Sequence, residues 1–274
     1  MIFETLFITF LFSSESEKEL SQNNDKLHLA IRQQKPKTTG RHGWLITEEE
    51  VTWSSSETAI VIVDMWNKHW SWGATERVNV MAPRINTVVN VARDKGVTII
   101  HAPSDTMDFY QKHPARIRAI DVPHVEPPEP AEHPDPPLPV DASDGGSDTG
   151  EKESFKAWNR QHPAIEIQDE DFISDNGEEV YSILIQNGIK NIIFMGVHTN
   201  MCVLGRSFAI KPMVRWEFNV VLTRDLTDAM YNPFKPPYVS HKEGTQLVIE
   251  YIEKFWCPTI LSGDLTTPEH TAKS

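Results

Sequence analysis

The sequence predicts an α/β fold with a mostly parallel sheet. Short continuous apolar runs rich in Val and Ile recur along the chain, as strands buried on both faces require. Between them lie stretches whose apolar residues repeat at spacings of three and four, as in amphipathic helices. At 274 residues the chain is long enough for one large domain with a substantial core.

The first strong element is Ala59–Asp64, AIVIVD, in which four of five apolar residues are β-branched. Glu76–Lys95 reads as a helix, with apolar residues at 78, 81, 85, 88, 89 and 92. Pro83 would start or kink it, and Gly96 would cap its end. Val97–His101 is the second strand, which makes the opening β-α-β. Asp105–Pro114 fits a short helix. From Asp121 to Gly150 the prolines forbid a helix and a central strand, so an insertion bounded at about 115–163 is expected. Ala164–Ile167 is a candidate third strand. Asp175–Asn187 is a helix capped by Ser174 or Asp175. Lys190–Gly196 is the fourth strand, and Met201–Ile210 a helix that Lys211-Pro212 ends. Phe218–Leu222 is the fifth strand and His241–Phe255 the closing helix. The count is five or six strands.

Residues 1 to about 50 read as a tail or arm, partly packed through Trp44–Trp53, and 51–274 as a single domain. Met1–Phe12 is apolar but short, carries Glu4 and lacks a positive leading region. The chain is therefore expected to be cytoplasmic, or exported if that stretch belongs to a signal peptide. No run approaches the ~20 apolar residues of a membrane span.

Charge narrows the partners. With 26 Lys+Arg against 39 Asp+Glu, the formal net charge is −13. Such a chain repels a phosphate backbone, so no nucleic-acid partner is expected. Two cysteines, Cys202 and Cys257, make neither a disulfide framework nor a zinc site. A small-molecule substrate and no cofactor are expected.

In open α/β sheets ligands bind beyond the carboxyl ends of the strands. Asp64 closes the first strand, His101 the second, and Gly196–Cys202 the fourth. Cys202 falls in the first turn of the expected helix, where free N–H groups and the dipole favour a thiolate. A buried inert cysteine is the alternative. Cys257 reads as structural. Asp64 could accept the thiol proton. Trp66, Trp70 and Trp72 could wall a planar substrate, with Asn67 and His69 orienting it. Asn200 could touch substrate or cap the helix at Cys202. His101 is a further substrate-binding candidate. Arg206, one turn past Cys202, reads as a partner for acidic neighbours.

VIVDMW, GVHTNMCV and LTRDLTDAM together resemble the isochorismatase-like cysteine hydrolases, which include nicotinamidases and N-carbamoylsarcosine amidohydrolases. The resemblance spans Thr58 to about Phe255, apart from the insertion. It implies a three-layer, doubly wound fold with a parallel six-stranded sheet, and a homo-oligomer, dimer or tetramer. It implies hydrolysis of a C–N bond in a small amide or ureido compound through a thioester. Asp64 and Cys202 match the family's aspartate and nucleophile. Val197–His198 matches its cis peptide, with the N–H groups of His198 and Cys202 as the oxyanion hole.

The family's lysine has no counterpart. No lysine lies between Glu166 and Gly188, and Gln168 or Asp169 occupies its approximate place. Lys68, Lys156 or Arg160 would have to supply a cation, Arg160 being preferred and also a substrate-binding candidate. Without one, a non-catalytic binding or assembly protein on the same fold is the alternative. The family metal site is also broken, with Met107 where a His is expected, although His69, His101, Asp105 and His113 could form an unrelated one.

Overall fold

A computed structural model describes residues 26–267. The Met1–Phe12 stretch lies outside the described residues. The elements are β1 (Lys26–Pro36), β2 (Trp44–Ser54), β3 (Thr58–Val63), α1 (Trp72–Asp94), β4 (Thr98–Ala102), α2 (Met107–Tyr110), α3 (Pro114–Asp121), β5 (Phe172–Ile173), α4 (Gly177–Gln186), β6 (Asn191–Val197), α5 (Cys202–Gly205), α6 (Ile210–Arg215), β7 (Asn219–Asp228), α7 (His241–Phe255), β8 (Thr259–Ile260) and α8 (Gly263–Thr266).

One sheet runs in the order β2-β1-β8-β7-β6-β3-β4-β5. It has eight strands where six were expected. Neighbours from β8 to β5 pair in parallel, and β1 and β2 add an antiparallel hairpin beyond β8. The two extra strands come from the stretch read as an arm. Leu27 and Leu29 alternate with exposed Lys26 and His28, so β1 buries one face in the core despite its polar composition.

β3 and β6 occupy the middle of the sheet and are wholly buried. Along β3, Ala59, Val61 and Val63 join a cluster containing α4 and α7 side chains, whereas Ile60 and Ile62 join one containing those of α1. Both faces are therefore apolar, and the continuous Ile/Val run of β3 follows from that.

Several boundaries differ from expectation. Ser71 caps α1, and Pro83 lies on its exposed side without ending it. Ala164–Ile167 forms no strand; the pairing partner of β4 is Phe172–Ile173, set by the bonds of Ile100 and His101 rather than by a long apolar run. Asn176, not Ser174 or Asp175, caps α4, accepting from Glu178 and Glu179 N–H. The expected 201–210 helix splits into the four-residue α5 and α6, and Pro212 sits in the first turn of α6, where its missing N–H costs nothing.

No helix or strand occurs between α3 and β5, yet the insertion is tied down along its length. Val125 N–H donates to Ser182 Oγ (2.9 Å), Ala131 N–H to the Arg215 carbonyl (2.9 Å), and Asp148 makes a bidentate pair with Arg77. Among the described residues, no helix is long and apolar enough to cross a membrane.

Candidate active site

The carboxyl ends of β3, β4 and β6 meet at one point. The parallel register aligns Val63 with Ala102 and with Gly196, so residues following each strand face one another. Asp64 is fully buried there, with a backbone φ of 48°, a conformation uncommon for a non-glycine residue. Its Oδ1 accepts the Ser104 N–H (2.7 Å), and its Oδ2 accepts Arg206 Nε–H (3.2 Å). The Cys202 thiol lies close enough to the same carboxylate for each to act on the other's ionisation. Burial raises the Asp64 carboxyl to about 6, opposed by the Arg206 charge, the neighbouring Cys202 and the Ser104 hydrogen bond. Asp64 is thus mostly ionised at neutral pH but is more basic than a free carboxylate.

The Cys202 thiol departs from expectation. Burial, and next the Asp64 charge, push it up to about 12, against the pull of Arg206 and a hydrogen bond from His198 N–H. A helix dipole was expected to lower it instead. α5 is a single turn, too short for a strong dipole, and a neighbouring carboxylate opposes a second anion. The resting pair is therefore thiol and carboxylate. Cys257 is buried and its thiol is also pushed up by burial.

The Val197–His198 peptide is cis. The His198 carbonyl accepts N–H groups of Met201 (3.0 Å) and Val203 (3.1 Å), which folds the 198–203 turn under the thiol. Its ring is buried and held neutral by burial, then by the nearby His69, Arg77, His241 and Arg206. Its Nε2 has no hydrogen-bond partner among the described residues.

An aromatic group adjoins this turn. Trp66 stacks on Trp158 of the insertion (centroids 4.1 Å apart), and His69 lies parallel to Trp158 at 5.6 Å and edge-on to His198 at 4.7 Å. Trp66 Nε1–H donates to the Ser104 carbonyl (3.0 Å). His69 Nδ1 accepts Ser71 N–H, and burial lowers the ring's pKa to about 4. Asn67 N–H donates to the Arg160 carbonyl (3.0 Å), and its side chain bonds Asn159, so the loop after β3 holds the end of the insertion. Trp70 lies 5.2 Å from His69, but Trp72 is exposed.

Three candidates are placed elsewhere or otherwise occupied. His101 is fully buried, with Nε2 on Asp171 (3.0 Å) and Nδ1 on Gln161 (3.1 Å), in a network that Arg93 completes. It holds the sheet to the insertion rather than reaching a substrate. Asn200 does not cap α5. It exchanges both amide bonds with the Met230 backbone (2.8 Å each) and locks the turn to the segment after β7. Asn200→Ala is expected to leave a buried N–H and carbonyl unpaired and cost ~2–4 kcal/mol, measured by urea unfolding. Arg160 places its guanidinium over the Phe109 ring (5.5 Å), and the ion pair on Asp64 comes from Arg206 instead.

Asp64 is thus paired with Arg206, read from the sequence as a partner for acidic neighbours, and not with Arg160. The available signal was its spacing: residues four apart share a face of one helical turn, so a cation at 206 lies beside Cys202. Reading 201–210 as one continuous helix hides how tightly that turn closes on the Asp64 carboxylate. Among the described residues, no group of three or more His, Cys, Asp or Glu is disposed to hold a metal ion. His69, His101, Asp105 and His113 do not converge, and Asp105 instead faces Arg206 (3.7 Å).

A buried carboxylate and a cysteine-bearing turn thus meet at the strand tips of a mostly parallel α/β sheet. Residues 58–235 match the model of the isochorismatase domain, and the chain belongs to the isochorismatase family of hydrolases. Among solved structures, it is similar to a cysteine hydrolase from Pseudomonas syringae pv. phaseolicola, at 17% identity over 78% of this chain and 92% of that one, TM-score 0.49. It is similar to a pyrazinamidase of Pyrococcus horikoshii in complex with zinc, at 18% identity over 72% and 94%, TM-score 0.41. An N-carbamoylsarcosine amidase from Thermoplasma acidophilum gives 13% identity over 75% and 96%, TM-score 0.42. No curated protein matches the sequence.

Proposed function

We propose that the protein hydrolyses a C–N bond in a small amide or ureido compound, with Cys202 as nucleophile and Asp64 as its base. The observation that carries this reading is the meeting of buried Asp64, at the tip of β3, with the Cys202 turn after β6, the two tied together by Arg206, whose N–H donates to the Cys202 carbonyl and whose Nε–H donates to Asp64. Family membership supports a hydrolase, and the amide or ureido class rests on the resemblance of the VIVDMW and GVHTNMCV motifs.

The steps follow from the two protonation states. As Sγ attacks the carbonyl carbon, its proton passes to Asp64, so a free thiolate never has to form in the buried site. The carbonyl oxygen becomes an oxyanion facing the His198 and Cys202 N–H groups, which are fixed by the 198–203 turn. The C–N bond then breaks, Asp64 returns the proton to the departing nitrogen, and an acyl thioester remains. Water attacks the thioester, gives its proton to Asp64, and the acid leaves as the thiol is re-formed. Trp66, Asn67 and His69 would line the approach. His69 and His198 are both neutral, so this wall suits an uncharged planar group.

Incubation with a panel of small amides, read by intact mass, is expected to trap an acyl adduct on Cys202. Its absence for every amide, with binding of the same compounds retained, would leave the non-catalytic binding reading. Turnover is expected to fall as pH drops through about 6, where Asp64 protonates and can no longer accept the thiol proton. A flat profile between pH 5 and 8 would remove Asp64 from the mechanism.

A further inference from the structure

We propose that Arg206 is the catalytic cation of this site, supplied from the nucleophile's own helical turn and replacing the lysine expected after the third strand of the fold. This rests on the hydrolase reading above.

The argument starts from charge. A buried carboxylate that takes up the thiol proton while negative charge builds on the attacking sulfur and the oxyanion needs a counter-charge in a desolvated site. Among the described residues, Arg206 is the cation paired with Asp64, Nε to Oδ2 at 3.2 Å. Asp64 is wholly buried, whereas Arg206 is 35% exposed, so the cation reaches in from the rim. Its Nη2 faces Asp105 Oδ2 at 3.7 Å, from the loop after β4. The two carboxylates thus hold the planar guanidinium from two sides, which a lysine ammonium on one stem does not reproduce.

Local chain geometry makes the placement specific. Arg206 caps α5, and its N–H donates to the Cys202 carbonyl (3.1 Å). Nucleophile and cation are therefore joined by one turn, Cys-Val-Leu-Gly-Arg. When the proton moves from Sγ to Asp64, negative charge leaves the carboxylate for the attacking sulfur and the oxyanion, and the guanidinium paired with that carboxylate stays one turn from the sulfur. Atoms and charge balance without any co-reactant. Arginine keeps its proton at all working pH values, so the cation imposes no alkaline limit of its own. At the approximate place of the family's lysine, Gln168 N–H donates to Asp171 (2.8 Å), and Arg160, the preferred substitute, lies on Phe109.

The test uses the full-length protein and iodoacetamide, whose reaction with Cys202 needs no knowledge of the substrate. Rates are measured from pH 5 to 10 for wild type, Arg206→Gln and Arg206→Lys, with adduct position read by peptide mass. Arg206→Gln is expected to slow the reaction ~10-fold at pH 7 and to keep it below the wild-type rate across the whole range. Arg206→Lys is expected to restore part of the rate and to form the amide adduct. A Gln profile lying on the wild-type curve would overturn the proposal, as would a slowing produced by Arg160→Gln and absent in Arg206→Gln. If the Gln variant fails to fold, the Lys variant decides: folded and forming adduct, it supports the charge role, and folded without adduct it overturns it. Loss of the amide adduct in wild type would instead sink the hydrolase reading, while the alkylation profiles still report on Arg206.

Discussion

Asp64→Asn is expected to abolish turnover, by at least ~10³-fold, while making the protein more stable in alkaline solution than in acid relative to wild type. The first effect follows from the proposed mechanism, in which the substitution removes the base that receives the thiol proton. The second follows from linkage. The folded-state pKa of Asp64 is about 6, against an ordinary 3.8. A carboxyl whose pKa is raised by folding favours the folded state below its unfolded pKa, and that advantage is lost as pH rises through the folded value. Ionising Asp64 in the interior therefore costs ~3 kcal/mol by pH 8, and an uncharged Asn escapes that cost. The variant's lost hydrogen bonds are independent of pH to first order. Denaturant melts of both proteins at pH 4 and pH 8 separate the two contributions. The stability difference should swing toward the variant by ~3 kcal/mol between those values, and a difference that stays constant would contradict a buried, destabilising charge at Asp64.

Gly196→Ala is expected to have the largest effect on folding, ~4 kcal/mol or more. Gly196 has a φ of +115°, and a Cβ there would lie 2.1 Å from the Val63 carbonyl oxygen and 2.9 Å from its amide nitrogen. The obstacle is the backbone of β3, which cannot swing aside as a side chain can. Val63 directly precedes Asp64, so any accommodation displaces the carboxylate and activity falls along with stability. Gly205→Ala is the matched control. It lies in α5 beside Arg206, an added methyl there would meet nothing within 4 Å, and the change should be neutral or slightly stabilising. Thermal melts of the two variants side by side give the comparison.

Much of the central sheet can be read directly from residue patterns. β3 and β6 are continuous apolar runs because both of their faces are covered, and His241–Phe255 shows a clear three-and-four spacing behind the Ser240 capping box. The hairpin is hidden because only one of its faces is buried, and its residues are mixed with Lys, His, Arg and Glu. β5 is two residues long, below the length at which periodicity carries information. At the site, strand ends place Asp64 near the 196–202 turn, since parallel strands bring their carboxyl ends together. That Arg206 pairs with an acidic neighbour is legible from its place one turn past Cys202, but that the neighbour is Asp64 is not, because its position depends on where a single turn breaks. That break is set by tertiary contacts of the segment between α5 and α6, such as the Gly177 N–H bond to Ser207 Oγ (3.0 Å). His101 looks accessible at a strand tip, but Gln161 of the insertion and Asp171 before β5 cover it.

The Trp158–Gln161 stretch has a consequence for how new specificities can arise on this scaffold. Trp158 covers Trp66, and Gln161 bridges back to the same residue, yet both belong to a segment without a strand or helix. Lengthening or recomposing that segment would remodel the mouth of the site while β3, β6 and the Cys202 turn keep their register. Exchanging the part of that segment outside the Gln161 and Asp171 anchors between relatives would therefore report how far it shapes the mouth of the candidate site.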